Sequence, residues 1–352
     1  MFTRILHTLA PFVLVLAASD AHAGPAQRQV RSSDVSMTLE GGPVGVVDDL
    51  DFPFASSQVV VEPSGPGAYG AKHLSTLHYD DVRFSVGARP PKALLEWIRG
   101  TLQMNDARKN GGFTTGEVQH EFFNALLTEI GFPALDAGSK NAASLTLAAT
   151  PEYARTQRAA SKAKVNDAPM PLSTRVFTLT IDGIATAKVV KIDAFTIKQV
   201  LQQDAIGDAR DYLVEPAKLE FPDLSIYMRP EDSDDFMAWH QDFVVQGNCG
   251  SDREKAGRLD LFDASGKPAL SLQLFNVGIF RVDDVGVGSE RLRRIDSTSS
   301  AWTSASPGRC SRARPRPWQA GARPRAARSV RASSASAGRC RANPRSARWP
   351  KQ

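Results

Sequence analysis

Two histidines and two aspartates near residue 75 are the side chains best placed by type and spacing to do chemistry. His73 and His78 lie just before the pair Asp80 and Asp81. Imidazole and carboxylate groups can together hold a transition metal or transfer protons as base and acid. A hydrolase that uses these residues is therefore one interpretation, and the plainer one is that they are ordinary surface side chains.

Two further segments have the composition of binding sites but lack the residues that such sites require. The acidic run 231–235 has no glycine turn and no distal glutamate of a calcium loop, so we interpret it as the start of a helix. The Pro/Gly-rich loop 63–70 lacks the lysine and strand-to-helix context of a phosphate loop. We interpret it as a flexible loop. No Gly-x-Ser-x-Gly motif supports a nucleophilic serine.

The positive charge of the chain belongs to its C-terminal tail. Residues 301–352 contain 12 Arg, one Lys and no Asp or Glu, whereas the whole chain has a formal net charge of +5. Residues 1–300 are therefore net acidic. Because nucleic-acid binding needs a surface of positive potential, we do not expect the folded body to bind nucleic acid.

The first residues have the three parts of a secretory signal peptide. Arg4 precedes an apolar run over residues 5–18, and small residues flank His22 at a cleavage site. The run is shorter than the roughly 20 apolar residues of a membrane span. The sequence therefore predicts a signal peptide over residues 1–23, a secreted or periplasmic protein, and no membrane span after cleavage. A buried N-terminal helix is the alternative.

Residues 301–352 form a tail rich in Arg, Ala, Ser and Pro. The tail contains no Leu, Ile or Phe, so it cannot bury enough apolar surface to offset the entropy of an ordered chain. We expect it to be disordered. One interpretation is a basic arm that binds nucleic acid or an anionic surface. The interpretation that we favour is an out-of-frame translation of GC-rich DNA.

The body of the chain matches itself at an offset of about 142 residues. Each match is weak, but the matches occur in the same order along both halves. They are residues 37–41 with 179–183, Asp51 with Asp193, 84–86 with 224–226, Trp97 with Trp239, and 123–125 with 275–277. This order predicts two tandem copies of one domain, over residues 34–154 and 175–300, joined by a linker over residues 155–174.

Each predicted copy consists of strands and one helix. Residues 176–181 alternate apolar side chains with threonine, which is typical of a half-buried strand. Apolar residues between positions 94 and 102 follow two prolines with helical spacing, and Phe236 and Trp239 follow an acidic helix start. The sequence predicts a mainly β fold, a β-sandwich or barrel with one helix per repeat.

This order of elements resembles the tail tube proteins of contractile bacteriophages. In the second copy it runs through a strand at 224–227, a helix with Phe236-x-x-Trp239, a strand ending in Asp-x-x-Gly within 257–266, and an aromatic-Asn step within 274–277. The resemblance covers most of each copy. It implies a sandwich or barrel flanked by a helix, and monomers that assemble into stacked hexameric rings. Tail tubes assemble in the cytoplasm and have no signal peptide.

The resemblance implies a structural protein that assembles with itself and is not an enzyme. A chain with two copies would form a trimer in place of a hexamer. The expected partners are further copies of the chain and other tail-like or envelope proteins. We assign no catalytic, cofactor-binding or metal-ligating residue and expect no cofactor. The alternative is a secreted module in which two β domains bind a ligand or a protein.

Overall fold

The computed structural model describes residues 35–52, 55–62, 70–159, 170–205, 212–287, 290–299 and 301–305. The predicted signal peptide, the loop residues 63–69 and the tail after residue 305 lie outside them. We call residues 35–159 the first half and residues 170–305 the second half. The described chain is mainly β, as the sequence predicts, and its strand pairs are antiparallel.

The described residues form twelve strands in the first half and nine in the second. The first half contains β1 (Val35–Leu39), β2 (Gly42–Val46), β3 (Asp48–Asp51), β4 (Ser56–Glu62), β5 (Ala71–His78), β6 (Val82–Val86), β7 (Lys109–Thr115), β8 (Val118–Phe132), β9 (Leu135–Asp136), β10 (Ala142–Ala143), β11 (Leu145–Thr150) and β12 (Tyr153–Arg158). The second half contains β13 (Leu172–Ile181), β14 (Lys191–Ile192), β15 (Phe195–Ala205), β16 (Tyr212–Glu220), β17 (Leu224–Met228), β18 (Lys255–Asp263), β19 (Pro268–Val287), β20 (Glu290–Thr298) and β21 (Ala301–Ala305).

Each half contains one α-helix, as the sequence predicts. Helix α1 (Lys92–Leu102) begins after Pro91, whose extended backbone ends the preceding segment, and it buries a face that includes Trp97. Helix α2 (Asp234–His240) has aspartates in its first turn, where their negative charges interact favourably with the positive end of the helix dipole. Phe243 lies beyond α2, in a π-helical turn over Gln241–Val245. No helix among the described residues is both long and apolar enough to cross a bilayer.

The described strands form three sheets. A ten-stranded sheet has the order β2-β1-β7-β8-β11-β6-β3, with β12 and β15 also on β8 and β16 on β15. A nine-stranded sheet has the order β10-β13-β18-β19-β20-β17-β14-β9, with β21 also on β19. The third sheet is the hairpin β4-β5. None of the three closes on itself among the described strands, so the barrel form of the prediction is not what these residues adopt.

The strand pairs of the second half follow the order of those in the first half. The neighbours β1-β7-β8-β11-β6-β3 recur as β13-β18-β19-β20-β17-β14. The side pair β12-β8 recurs as β21-β19, and the hairpin β4-β5 recurs as β15-β16. Each helix follows the corresponding strand, α1 after β6 and α2 after β17.

One hydrophobic core runs through both halves. Its members are buried side chains from the facing strands and from both helices. Trp97 is fully buried and its ring lies 6.1 Å from that of Phe122 on β8, so α1 is held against the first sheet. Burial of large aromatic rings of this kind supplies much of the free energy that keeps a helix on a sheet.

The element boundaries differ from the predicted ones at three places. β12 ends at Arg158 and β13 begins at Leu172, so both ends of the predicted linker 155–174 are strand. β21 lies within the predicted tail, and order therefore extends to residue 305. Residues 189–197, whose alternation repeats that of residues 176–181 and so also predicts a strand, are split between β14 and β15.

Candidate functional site

The histidine and aspartate cluster suggested by the sequence is only partly assembled. Five polar residues line a cavity of about 430 Å³, namely Asp51, His78, Asp80, Asp81 and Arg83. His73 is not among them. It lies on β5 opposite Val60, and its Nε2 atom is 3.8 Å from a carboxylate oxygen of Glu62.

The carboxylate of Asp81 connects three strands. It accepts hydrogen bonds from the hydroxyl groups of Thr128 on β8, at 3.1 Å, and Thr150 on β11. Arg83 on β6 lies 3.7 Å from the same carboxylate and donates to Glu129 at 2.7 Å, and this hydrogen bond raises the pKa of Arg83. These contacts fix β6 against β8 and β11, which is a structural role for Asp81.

The acidic run 231–235 and the histidine on β8 also make contacts that stabilise the fold. In the acidic run 231–235, Asp235 accepts a hydrogen bond from the backbone N–H of Ala185 at 2.9 Å, so the run begins a helix and anchors a loop. His120 on β8 stacks on Phe52 at 4.7 Å, and burial lowers its pKa. Within the described part of the chain, no group of three or more His, Cys, Asp or Glu side chains could hold a metal ion.

The feature that sequence reasoning missed is a strand pair between the two halves. Residues 195–198 at the start of β15 pair with residues 129–132 at the end of β8. We call this pairing the joint. The rings of Phe132 and Phe195 stack at 4.7 Å, and Lys198 Nζ lies 3.4 Å from Glu129 Oε1. A strand of the second half thus extends the sheet of the first half.

Electrostatic attraction between Glu129 and Lys198 stabilises the joint. Burial disfavours the charged form of Glu129, but the hydrogen bond from Arg83 and the charges of Arg83 and Lys198 outweigh it, so the pKa of Glu129 is lowered. The carboxylate therefore stays ionised at neutral pH and attracts Lys198 across the joint.

An ion pair with a buried carboxylate and two short strand pairs add to the joint. The guanidinium of Arg89, after β6, contacts the fully buried carboxylate of Asp263 at the end of β18. The first-half strands β9 and β10 pair with β14 and β13. The two halves are therefore joined through backbone, apolar and ionic contacts together.

The hairpin β4-β5 is the most exposed apolar element of the described chain. It pairs with no other described strand, and we call it the exposed hairpin. Val59, Val60, Val61 and Leu74 are 53%, 42%, 55% and 70% exposed. Exposed and unpaired β-structure with apolar side chains is a common site of association with another chain.

The distal part of β19 has one unpaired edge. Residues 281–287 pair with β20 on one side, and no described strand pairs with their other side. We call this side the open edge. Its backbone N–H and C=O groups can accept an added strand. Phe280, next to it, is 42% exposed.

The described chain thus has two β surfaces that no described strand covers, the exposed hairpin and the open edge, together with one polar cavity. The sequence of residues 59–61 could not reveal the exposure of the hairpin, because a run of three valines is equally typical of a buried strand. No protein-family model matches the sequence, and no curated protein matches it.

Proposed function

We propose that this chain is a non-catalytic structural protein that associates with copies of itself, and that its halves are two tandem copies of one β unit. The observation that carries self-association is the exposed hairpin, whose four exposed apolar side chains have no covering strand among the described residues. An apolar surface of this kind on an exported protein is costly in water unless a partner covers it.

The tandem copies are supported by irregularities that recur at corresponding places. Asn124 on β8 and Asn276 on β19 both have positive φ, at 51° and 53°, and each follows a phenylalanine. The pairing of β8 with β11 shifts register near Thr128, and that of β19 with β20 shifts near Phe280. Positive φ is uncommon outside glycine, so its recurrence at matching positions argues for one repeated unit.

A glycine at a close backbone approach supports the same inference. A Cβ on Gly111 would lie 2.6 Å from the carbonyl oxygen of Thr38, and a Cβ on Gly257 would lie 3.0 Å from that of Thr180. Both glycines occupy the same place, on β7 or β18 beside the first strand of their half. Only a residue without a side chain fits between the two strands there.

The resemblance to phage tail tube proteins gives this proposal its specific form. Tail tube proteins assemble into hexameric rings of single units, so a chain with two units would form a trimer. We place the protein in the secreted or envelope space because of its predicted signal peptide. Its partners there would be further copies of the chain or other tail-like proteins.

The experiment is light scattering on the full chain over a range of protein concentrations, with electron microscopy of the same samples. We expect species larger than the 38.1 kDa monomer, and rings or short tubes in the images. A monomer at every concentration would overturn the proposal.

The polar cavity favours a second candidate function, a module that binds a ligand or a protein. Arg83 and His78 would contact an anionic group, and the nearby carboxylates a basic one. A panel of small charged ligands tested by thermal unfolding would examine it. A ligand that raises the melting temperature of the wild type, but not of Arg83→Ala, would support this function.

A further inference from the structure

The outer edge of β4 has no strand beside it among the described residues. β4 pairs with β5 on one side, and no described strand pairs with its other side. Val59 and Val61 point to one face of the exposed hairpin and Val60 to the other, and they are 53%, 55% and 42% exposed. A partner on one face would leave the other face in water, whereas an added strand brings side chains to both. The exposure on both faces therefore fits a strand as the partner.

β4 also lacks the features that keep an edge strand from pairing with another chain. Charged residues, proline and bulges are the usual ones. Residues 56–61 contain neither a charged residue nor a proline. β5 contains Lys72, and it has a bulge at residues 75–76, both of which lie opposite Gln58 of β4. The edge of β4 is therefore open to an added strand, and that of β5 is protected.

The hairpin of the second half has the protection that β4 lacks. β15 contains Lys198 and Asp204, and β16 contains Lys218 and also Pro216, which has no N–H group to donate. β4 contains a single charged residue, Glu62, at its last position. The two hairpins occupy the same place in the order of strands. The fold of a half thus does not require an apolar strand there, which favours a role in association for the valines of β4.

The sequence of β4 is complementary to itself in the antiparallel direction. With Val60 at the centre, Val59 lies opposite Val61 of a second copy and Gln58 lies opposite Glu62. The amide of Gln58 can then donate a hydrogen bond to the carboxylate of Glu62. A shift of the centre by one residue places Val60 opposite Gln58 or Glu62. A parallel pair in register places the two Glu62 carboxylates side by side, which is destabilising. The antiparallel pair centred on Val60 is therefore the favoured arrangement.

We propose that two copies of this chain associate through an antiparallel pair of their β4 strands, centred on Val60. The resulting sheet of four strands has the two β4 strands in the middle and buries their valines against one another on both faces. This inference rests on the proposed self-association and names its surface, symmetry and register. Both chains use the same surface, so the contact closes at two copies. It joins chains or rings in pairs, and a ring of three chains needs a further contact.

The symmetry is tested with two full-length variants, each oxidised mildly by itself. In Val60→Cys, the two thiols of a pair lie directly opposite one another at the twofold axis, within reach of a disulfide. Leu74→Cys is the matched control, because Leu74 lies opposite Val59 on β5 and is more exposed, at 70%. Three strand spacings, about 14 Å, separate the two Leu74 positions, beyond disulfide reach. We expect more covalent dimer with Val60→Cys than with Leu74→Cys or the wild type.

The register is tested with full-length Gln58→Cys and Glu62→Cys. In the proposed pair each of these positions lies opposite the other one in the second copy. Two copies of the same variant hold their thiols about 14 Å apart, because the two positions are four residues apart along the strand. We expect a covalent dimer in the mixture of the two variants and not with either one alone. As much dimer with Gln58→Cys alone as in the mixture would overturn the pair centred on Val60.

The contact itself is tested by light scattering on Val60→Lys. This variant places two ammonium groups opposite one another at the axis, and like charges directly opposite destabilise a strand pair. We expect the protein concentration at half-association to rise about tenfold or more. Val245→Lys is the control, because it places the same charge on a valine that is 61% exposed outside the hairpin. Its half-association should match the wild type, and both variants should keep the wild-type thermal midpoint when they are measured as monomers.

The outcomes separate this inference from the proposed function. A wild type that associates, with no more cross-linking of Val60→Cys than of Leu74→Cys, overturns the pair of β4 strands and leaves self-association standing. Association that Val60→Lys leaves unchanged has the same consequence. A wild type that is monomeric at every concentration overturns both.

Discussion

The guanidinium of Arg89 and the carboxylate of Asp263 lie 2.5 Å apart and connect the two halves of the chain. Arg89 follows β6 and is about half exposed, whereas the Asp263 side chain is fully buried. The other carboxylate oxygen of Asp263 accepts from the backbone N–H groups of Ser265 and Lys267 at 2.8 Å and 2.9 Å. The turn after β18 therefore presents an ionised group that Arg89 neutralises from the other half.

Arg89→Ala should destabilise the protein. The substitution leaves the buried carboxylate of Asp263 without its cation, which is among the costlier single changes in a folded protein. We expect a clear fall in the thermal midpoint, measured by circular dichroism. The matched control is Arg253→Ala, which removes an arginine from an exposed pair with Asp252 and should leave the midpoint unchanged. Equal midpoints for the two variants would contradict the stabilising role of the Arg89 ion pair.

Asp263 should make stability depend on pH in the acid range. The pKa of Asp263 lies well below its ordinary value. The hydrogen bond from the Ser265 hydroxyl lowers it most, and burial opposes this in part. The backbone N–H groups of Lys267 and Ser265 and the side chain of Arg89 lower it further. A lowered pKa stabilises the fold above the unfolded-state pKa of about 4, and this stability is lost as pH falls below it. Asp263→Asn should be less stable at neutral pH and should lose less stability on acidification. Urea unfolding at several pH values measures both, and parallel curves for the two proteins would contradict the prediction.

Gly111→Ala should be destabilising because the site has no room for a methyl group. Its Cβ would lie 2.6 Å from a backbone oxygen and 2.5 Å from the buried ring of Phe122. Overpacking of this kind costs about 1–3 kcal/mol of unfolding free energy. Gly286→Ala is the control, since its Cβ would meet nothing within 4 Å. Chemical denaturation compares them, and a Gly111 variant as stable as the control would show that β1 and β7 can move apart.

Tyr227 should ionise later than an ordinary tyrosine. Burial, together with a hydrogen bond that its hydroxyl donates to Asp193 at 2.7 Å, raises its pKa to about 12. Because the folded protein holds this proton more tightly, Tyr227 stabilises it below about pH 10, and that contribution is lost as pH rises toward 12. The difference between ultraviolet titrations of the wild type and Tyr227→Phe isolates the group. Asp193→Ala should bring the transition to lower pH, and an unshifted transition would contradict the assigned hydrogen bond.

The sequence predicts local structure well because alternation and helical spacing are local signals. Residues 176–181 are strand, and Trp97 and Trp239 are on helices, as predicted. The internal matches pair Trp97 with Trp239, and each of them lies on the α-helix of its half. Phe84 lies opposite Leu147 on β11, and Ile226 lies opposite Ile295 on β20, so under the proposed repeat Phe84 corresponds to Ile226 and not to Leu224 as the internal matches have it. A strand shifted by two residues keeps the same side chains on the same face, so alternation alone cannot detect the error.

The joint could not be predicted from local signals. Residues 195–198 have the pattern of a strand, but nothing in that pattern names β8 as the partner. The contact between Arg89 and Asp263 likewise joins residues that are distant in the chain. The candidate surfaces can be identified only once the pairing of every described strand is known, because each is a β surface that no described strand covers.

Since the joint connects two halves of one polypeptide, its formation does not depend on protein concentration. In an array of these chains every second junction would be intramolecular, and only the alternate ones would have to form by diffusion. Tethering also keeps the two halves in one-to-one ratio at every step of growth. Dilution would therefore separate such an array into whole chains, each with both halves, and not into separate halves.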